Sequence, residues 1–544
     1  MAAQPANAVS TGPGVFSRQA SGLVRVGGTL DVFIYNVGLV SIAIAIAYNQ
    51  FFGPSLYPGA RPAVATLFAG LGMLAVAATF YFWSVVFPRS GGVYVFLSRT
   101  VSPGVAFVLS LVETVILLYY AALAASLIVT VGIAPFLATV GTVAKSQTLL
   151  NWAASTSSHN GVFWIGSAIL VVAGLLLTSG TRRYFLTQKV LFLVAIVGTV
   201  VLIGLLALGS RTTFAAHLSS LGGLDYDKVI STAQANGYVH AGFDLGTSAK
   251  FLVWPLLPLL GAVQSVGIGG EVKRVRRSQL WGILGALVSC TLVIALFDLL
   301  AGHAFGDVFQ GAIAFNSING VAGGSTEDTV GASPYITVLS GILAGNIPLA
   351  VIILATFAAW IWFWVPAELA YTTRSMIAWS FDRVAPNRLG YVSERFHTPV
   401  VAIWASTVGS VVFMWLIAYK NIALLTLIEA LLVAWGAVML AAMVFPYRRR
   451  AMYAGSPVAR LRVFGLPAMA VTGLLALTFF AVVEVLLWRD PIAAGALVRT
   501  PLPREFWIVL GVVVFGALWY AGAKAYRRRR GIDIRLAFQQ IPIE

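Results

Sequence analysis

The chain has 544 residues, of which 59% are hydrophobic and only 10% charged, with a mean hydropathy of +0.89. A soluble protein carries about 25% charged residues, so a water-solvated globular domain is excluded. The net charge of +16 does not point to nucleic acid, because the bases sit in short loops on alternate sides of apolar blocks instead of forming one basic patch.

Residues 1–27 are small and polar with Arg18 and Arg25, and lack the apolar core of a signal peptide. They are expected to form a disordered cytoplasmic tail. Apolar blocks of the length that crosses a hydrocarbon core about 30 Å thick then fall at 29–52, 62–87, 102–130, 160–178, 184–209, 250–269, 279–302, 335–372, 399–418, 421–446, 464–488 and 505–524. Twelve spans return the chain to the side on which it began. Of the 35 Lys and Arg, 26 fall on that side, which places both termini in the cytoplasm and the protein in the plasma membrane as a multi-pass chain. The resulting fold class is an all-α integral membrane protein. A ten-helix core is expected over 28–446, in halves at 28–209 and 250–446, with helices eleven and twelve over 447–525 and a basic tail over 526–544. "YRRRRG" at 526–531 reads as a lipid-headgroup anchor.

Two connections opposite the basic side are long, 210–249 and 303–334; the first holds an amphipathic stretch from Asp225 to Val239. Either lids or plain surface coverage accounts for them. Cys290 is the single cysteine and lies in an apolar block, so neither a disulfide nor a thiolate metal site is available. The five histidines (His159, His217, His240, His303, His397) lie at loops or helix ends, and no metal-ligand spacing, nucleophile elbow or phosphate loop appears. No enzyme activity, metal or cofactor is expected.

Transporters expose backbone to substrate where spanning helices break. The first helix carries Gly38 and the small run Ser41-Ile42-Ala43. The sixth carries Pro255, Pro258, Gly261, Gly267, Gly269 and Gly270, a density that opposes an unbroken helix. These two helices occupy equivalent places in two five-helix halves, as an inverted repeat requires.

Three segments carry a family likeness: "PRSGGVYVFLSRTVSPGVAF" (Pro88 to Phe107), "GGEVKRVRRS" (Gly269 to Ser278) and "TRSMIAWSFDRVAPNRLGYVSERFHTPVVAI" (Thr373 to Ile403). In order and placement they resemble the amino acid–polyamine–organocation permease family, over roughly residues 28–446. Val272, Val275 and the order Asp382-Arg383 depart from the commoner residues. The resemblance implies a leucine-transporter-type fold with a 5+5 inverted repeat, broken helices one and six, and alternating access around a site between helices 1, 3, 6, 8 and 10. It also implies that Ser41-Ile42-Ala43 stands for the family's G-x-G, and that Ala262 or Val263 replaces a gating aromatic.

On this reading the amides near Gly38, Ser41, Ile42 and Ala43 receive a substrate carboxylate, and the carbonyls of Leu260 and Gly261 receive its ammonium group. Gln264 either lines the site or knits helix six to a neighbour. Acids inside a bilayer are functional candidates. Glu113 and Glu429 lie deepest, as proton carriers, partners of a cationic substrate, or neutral structural acids; Glu368, Glu484 and Asp298 are placed nearer helix ends. Ser41 and Thr356 are candidate sodium ligands. Lys189 is expected to snorkel at the interface instead of replacing a sodium ion. Arg89, Glu271, Arg374 and Asp382 form a candidate cytoplasmic gate, with ordinary topology charge as the alternative. "WIWFW" (Trp360 to Trp364) is expected to face lipid, with Pro366 kinking its helix.

The expected activity is secondary transport of amino acids, coupled to protons or sodium or run as exchange, with neutral amino acids first and cationic amino acids or polyamines second. A sensor or channel on a permease scaffold is the alternative of another class. A channel wants a continuous polar pore and a sensor a soluble signalling domain; neither is present in the sequence.

Overall fold

A computed structural model describes residues 23–420, 424–490, 492, 501–532, 534 and 538. Most of the expected N-terminal tail and the end of the C-terminal tail lie outside these residues. Among the described residues, twelve helices are long and apolar enough to cross a membrane. We number them α1 (Thr29–Leu56), α2 (Pro62–Val86), α3 (Pro103–Val143), α4 (His159–Thr178), α5 (Thr181–Leu208), α6 (Leu245–Gly267), α7 (Val275–Phe305), α8 (Ile347–Phe381), α9 (Val400–Lys420), α10 (Leu427–Arg448), α11 (Ala468–Arg489) and α12 (Arg504–Arg529). The fold is an all-α membrane bundle.

Local chemistry sets the helix starts. Pro62 and Pro103 open α2 and α3 in the first turn, where the missing N–H has no partner to lose. Asp31 caps α1 by accepting from the Gly28 amide at 2.8 Å. Before that start, Val26 and Gly27 donate to the Glu271 carbonyl and Lys273 donates back to Gly27. The last residues of the tail expected to be disordered are therefore pinned beside the end of α6.

Two boundaries differ from the sequence expectation. The eighth block, read as 335–372, is two helices: Ile336–Ala344 stops at Gly345 (φ 68°), and α8 starts afresh at Ile347 with Asn346 accepting from the Leu349 amide. Gly345, Asn346 and Pro348 are stop, cap and first-turn signals that hydropathy alone runs past. The third span continues to Val143 through a π-helical turn at Ile128–Ile133, which absorbs an extra residue without exposing backbone.

Burial grades the bundle. The most apolar windows of α1, α3 and α6 are each 89% buried, against 6% for α12. The first three are the inner helices, and α12 lies at the rim. Across the face opposite the chain ends, the two long connections fold into helices Arg211–Ser220, Tyr226–Ala235 and Asp307–Ile318. Asp225 caps the second by accepting from the Lys228 amide, so the amphipathic stretch is a real helix. Tyr226 stacks on Phe309 at 4.4 Å, and Asn316 donates to the carbonyls of Val229 and Gly324. The two connections thus pack as one cap.

Candidate substrate site

α1 is interrupted at Ser41, which adopts a left-handed conformation (φ 47°, ψ 74°) between Thr29–Val40 and Ile42–Leu56. A non-glycine residue there is strained, and such strain concentrates at functional sites. A new helix start leaves its first amides without partners inside the helix, so Ile42 and Ala43 present N–H groups at the break. The positive end of the second half-helix is centred there.

α6 meets this break directly. A Cβ on Gly261 would lie 2.5 Å from the Leu39 carbonyl oxygen and 2.7 Å from the Val40 nitrogen, so only glycine allows the approach. From Leu260 to Gly267, α6 winds as a 3-10 helix, following Pro255 and Pro258, which remove two amide donors. The carbonyls of Leu260 and Gly261 therefore sit in tightened turns packed on α1. Ala262 and Val263 are fully buried beside them. Gly38 is likewise filled from outside: a Cβ there would lie 2.6 Å from Cβ of Phe363.

A polar knot that the sequence reading missed ties the break to α7. Asn36 donates to Ser265 Oγ at 2.9 Å and to the Gly282 carbonyl at 2.7 Å, and its own oxygen accepts from the Ser265 amide at 2.9 Å. Ser265 Oγ donates to Gln279 Oε1 at 2.6 Å. A buried asparagine one helical turn before a break was the only available signal.

Two carboxylates lie in the bundle interior. Glu113 of α3 accepts from the Tyr371 hydroxyl at 2.9 Å and from Trp435 Nε1 at 2.8 Å, both on Oε1. Glu368 of α8 accepts on its own Oε1 from Trp364 Nε1 at 2.8 Å and from Gln264 Nε2 at 3.2 Å. Each acid leaves Oε2 buried without a partner, as does the Gln264 oxygen. Glu368 and Tyr371 are three residues apart and share a helix face, so α8 brings the two acids into one neighbourhood. Among the described residues no Lys or Arg pairs with either.

Several expectations are corrected here. Glu368 is not near a helix end: α8 runs to Phe381, and Glu368 is completely buried. Trp360, Phe363 and Trp364 do not face lipid. They are 2%, 2% and 5% exposed, and the two indoles donate to Thr199 and Glu368. Gln264 belongs to the acid pair through Glu368. The acidic neighbour of Glu429 is Glu484 of α11. Ser41 Oγ points to the Trp360 carbonyl at 3.4 Å, whereas Thr356 donates to Ile352 of its own helix and packs on Gly198. These two hydroxyls are not brought together. Lys189 is not simply a snorkelling base, since it pairs with Asp31 at 2.8 Å and ties α5 to the first turn of α1.

Three of the four gate candidates enter two buried ion pairs on the face bearing the chain ends. Arg374 Nε meets Glu271 Oε1 at 2.6 Å, and Thr181 donates to the other Glu271 oxygen at 2.8 Å. Asp382 instead takes both Nη groups of Arg99, at 2.6 and 2.9 Å. Arg99, unremarked in the sequence, is 1% exposed. Arg89 donates to the Pro88 carbonyl at 3.2 Å and belongs to neither pair. Between the pairs the Pro88–Gly92 segment wedges against the end of α6, with the Gly91 amide donating to the Gly267 carbonyl at 2.9 Å. Gly91 (φ 106°) and Gly92 (φ 43°) supply backbone that other residues resist, and a Cβ on Gly91 would lie 2.6 Å from that of Ala378.

The candidate site is thus a glycine-mediated crossing of two interrupted helices, flanked by two acids with which no Lys or Arg pairs among the described residues, with two buried ion pairs toward the face bearing the chain ends. No curated protein matched the chain in sequence comparison. The sequence profile described as "Amino acid permease" matches residues 28–518. With nearly the whole helical bundle inside that match, the chain belongs to the amino acid permease family.

Proposed function

We propose that the protein is a secondary transporter that carries amino acids across the cytoplasmic membrane by alternating access, with the basic face and both termini in the cytoplasm. The observation that carries this reading is the contact of Gly261 with the backbone at the α1 break. The free amides and the positive end of a half-helix beside that contact support the reading that a substrate carboxylate is received there. In this reading α1 and α6 move apart to admit substrate, and the two five-helix halves rock about the crossing.

The acid pair sets the charge of the cargo. Glu113 and Glu368 are held by neutral donors alone and each keeps a free oxygen. In a low-dielectric interior such groups take up positive charge. It arrives as a proton that accompanies a neutral amino acid, or as the side-chain ammonium of a cationic amino acid or polyamine. The absence of any paired Lys or Arg among the described residues favours the cationic cargo as the second reading.

The test is uptake of labelled leucine, lysine and putrescine into proteoliposomes, with and without an inward proton gradient and with and without sodium. Leucine uptake driven by the proton gradient supports the first reading, and lysine or putrescine uptake without it supports the second. Glu113→Gln and Glu368→Gln should abolish the gradient dependence in one case and the lysine or putrescine uptake in the other. Binding without uptake would sink transport in favour of a sensor; neither binding nor uptake of any amino acid or amine would remove the substrate assignment.

A further inference from the structure

The face opposite the chain ends holds a cavity of about 330 Å³ between the outer ends of α1, α2 and α7. A water occupies about 30 Å³, so the space suits an organic solute and not a few waters alone. Its wall includes Gln50 of α1, Arg61 at the start of α2, Arg211, His240 ahead of α6, and Asp298 and His303 of α7. None of Glu113, Gln264 or Glu368 borders it.

Asp298 gives this cavity its chemistry. The residue is 6% exposed. Oδ1 accepts from Gln50 Nε2 at 2.7 Å; Oδ2 accepts from Asn49 Nδ2 and from Thr66 Oγ1, both at 3.0 Å. All three donors are neutral, and a carboxylate offers about four acceptor positions, so one remains on the Oδ1 side. The Asn49 oxygen beside it is also buried and unpartnered. The nearest salt bridge on the wall is already complete, Arg61 to Asp307 at 2.8 Å. The interior end of the cavity therefore holds a carboxyl group with no Lys or Arg paired to it among the described residues, while the mouth carries Arg61 and Arg211.

We propose that this cavity binds small solutes bearing a primary ammonium group, with Asp298 as the counter-ion. A metal cation is a poor fit, because calcium and magnesium take six or more oxygen ligands, and the amides of Asn49 and Gln50 turn their N–H groups toward the carboxylate. An ammonium needs one strong acceptor and space for its carbon frame. An amino acid would direct its carboxylate toward Arg211 at the mouth, so it should bind better than the bare amine. In the orientation proposed above the cavity faces outside. It would then concentrate amines beside the entrance without being the transport site.

The experiment uses the full chain in lipid nanodiscs and three probes matched in size: L-alanine, ethylamine (its decarboxylated form) and propionate (its deaminated form). Binding is read by saturation-transfer NMR. Alanine and ethylamine should bind and propionate should not. Asp298→Asn should weaken ethylamine binding about tenfold or more, as expected for loss of a charge-assisted hydrogen bond. Val64→Trp, which fills the cavity from the α2 wall, should do the same, and Gly204→Leu, at a position with nothing within 4 Å, should leave ethylamine binding unchanged. The proposal is overturned if ethylamine fails to bind the wild-type chain, if propionate binds equally well, or if Val64→Trp leaves ethylamine affinity intact. Ethylamine binding that persists undiminished in Asp298→Asn would also overturn it, by assigning the amine to another site. Failure of amino acid uptake would leave it standing, since Asp298 is read out by binding alone.

Discussion

The Glu271–Arg374 pair allows the sharpest test of how the basic face is closed. The two side chains are 1% and 3% exposed and meet at 2.6 Å. Removing one partner from a buried pair leaves the other charged and unsolvated, a loss of about 3–5 kcal/mol. Each step of about 1.4 kcal/mol is a factor of ten, so a pair present only in the closed conformation holds that conformation by about two to three and a half orders of magnitude. Arg374→Ala should therefore lower thermal stability and shift the population toward an open basic face. Glu271→Ala should do slightly more, because it also strands the Thr181 hydroxyl that donates to Glu271.

The double variant decides whether the pair acts as a unit. With both charges gone nothing is left uncompensated, so the double loss should be well below the sum of the singles, with a coupling of about 1–3 kcal/mol. Thermal unfolding in nanodiscs measures stability. Modification of a cysteine placed at Gly91, on the segment wedged between the two ion pairs, measures opening, with native Cys290 buried and unreactive. Gly91→Cys is itself strained at its positive φ, so Ser90→Cys serves as the second reporter. Additive losses in the cycle, or unchanged labelling in every variant, would refute the reasoning.

Gly261→Leu should eliminate substrate binding while Gly204→Leu does not. The first drives a side chain into the Leu39 and Val40 backbone, and the second meets nothing within 4 Å; a substrate-induced thermal shift reads both. Asn36→Ala should destabilise by about 1–3 kcal/mol, since it orphans the buried Ser265 amide and the Gly282 carbonyl. Lys189→Met should cost no more than about 1 kcal/mol and be insensitive to added salt, because Lys189 is 42% exposed and the pair is partly screened. A salt-dependent loss in the wild-type chain of the same size would identify that pair as the screened one. Asp382→Asn should exceed Lys189→Met severalfold in thermal destabilisation, because its partner Arg99 is buried and bidentate.

What the sequence made legible and what it hid divide along a physical line. Hydropathy and loop charge are properties of one segment against a solvent, and they located all twelve spans. Helix breaks were readable where the signal was intrinsic: Pro255, Pro258 and Gly261 announced α6. In α1 no proline or glycine occupies the left-handed position; Ser41 does, held there by its surroundings more than by its own preference. Gly345 and Asn346 were readable and went unread because an apolar run overwhelmed them.

Pairing was the part that sequence could not supply. Asp382 lies eight residues from Arg374 on one helix, and helical geometry alone allowed the two to share a cluster; the fold gave Asp382 to Arg99, 283 positions away. Glu368 looked peripheral while its helix was thought to end at 372, and became interior once α8 was seen to reach Phe381. The aromatic run Trp360–Trp364 looked like lipid-facing bulk because indoles favour membrane interfaces. Its function inside the bundle follows from the acids instead. A carboxylate placed where no cation reaches it needs N–H donors that carry little charge and do not themselves require solvation, and an indole is the side chain that supplies one donor on an otherwise apolar frame. Trp364 and Trp435 meet that need for Glu368 and Glu113. Tryptophan N–H groups and acids at membrane depth should therefore be read together: a buried pair of them leaves the acid polar and fixed without a cation.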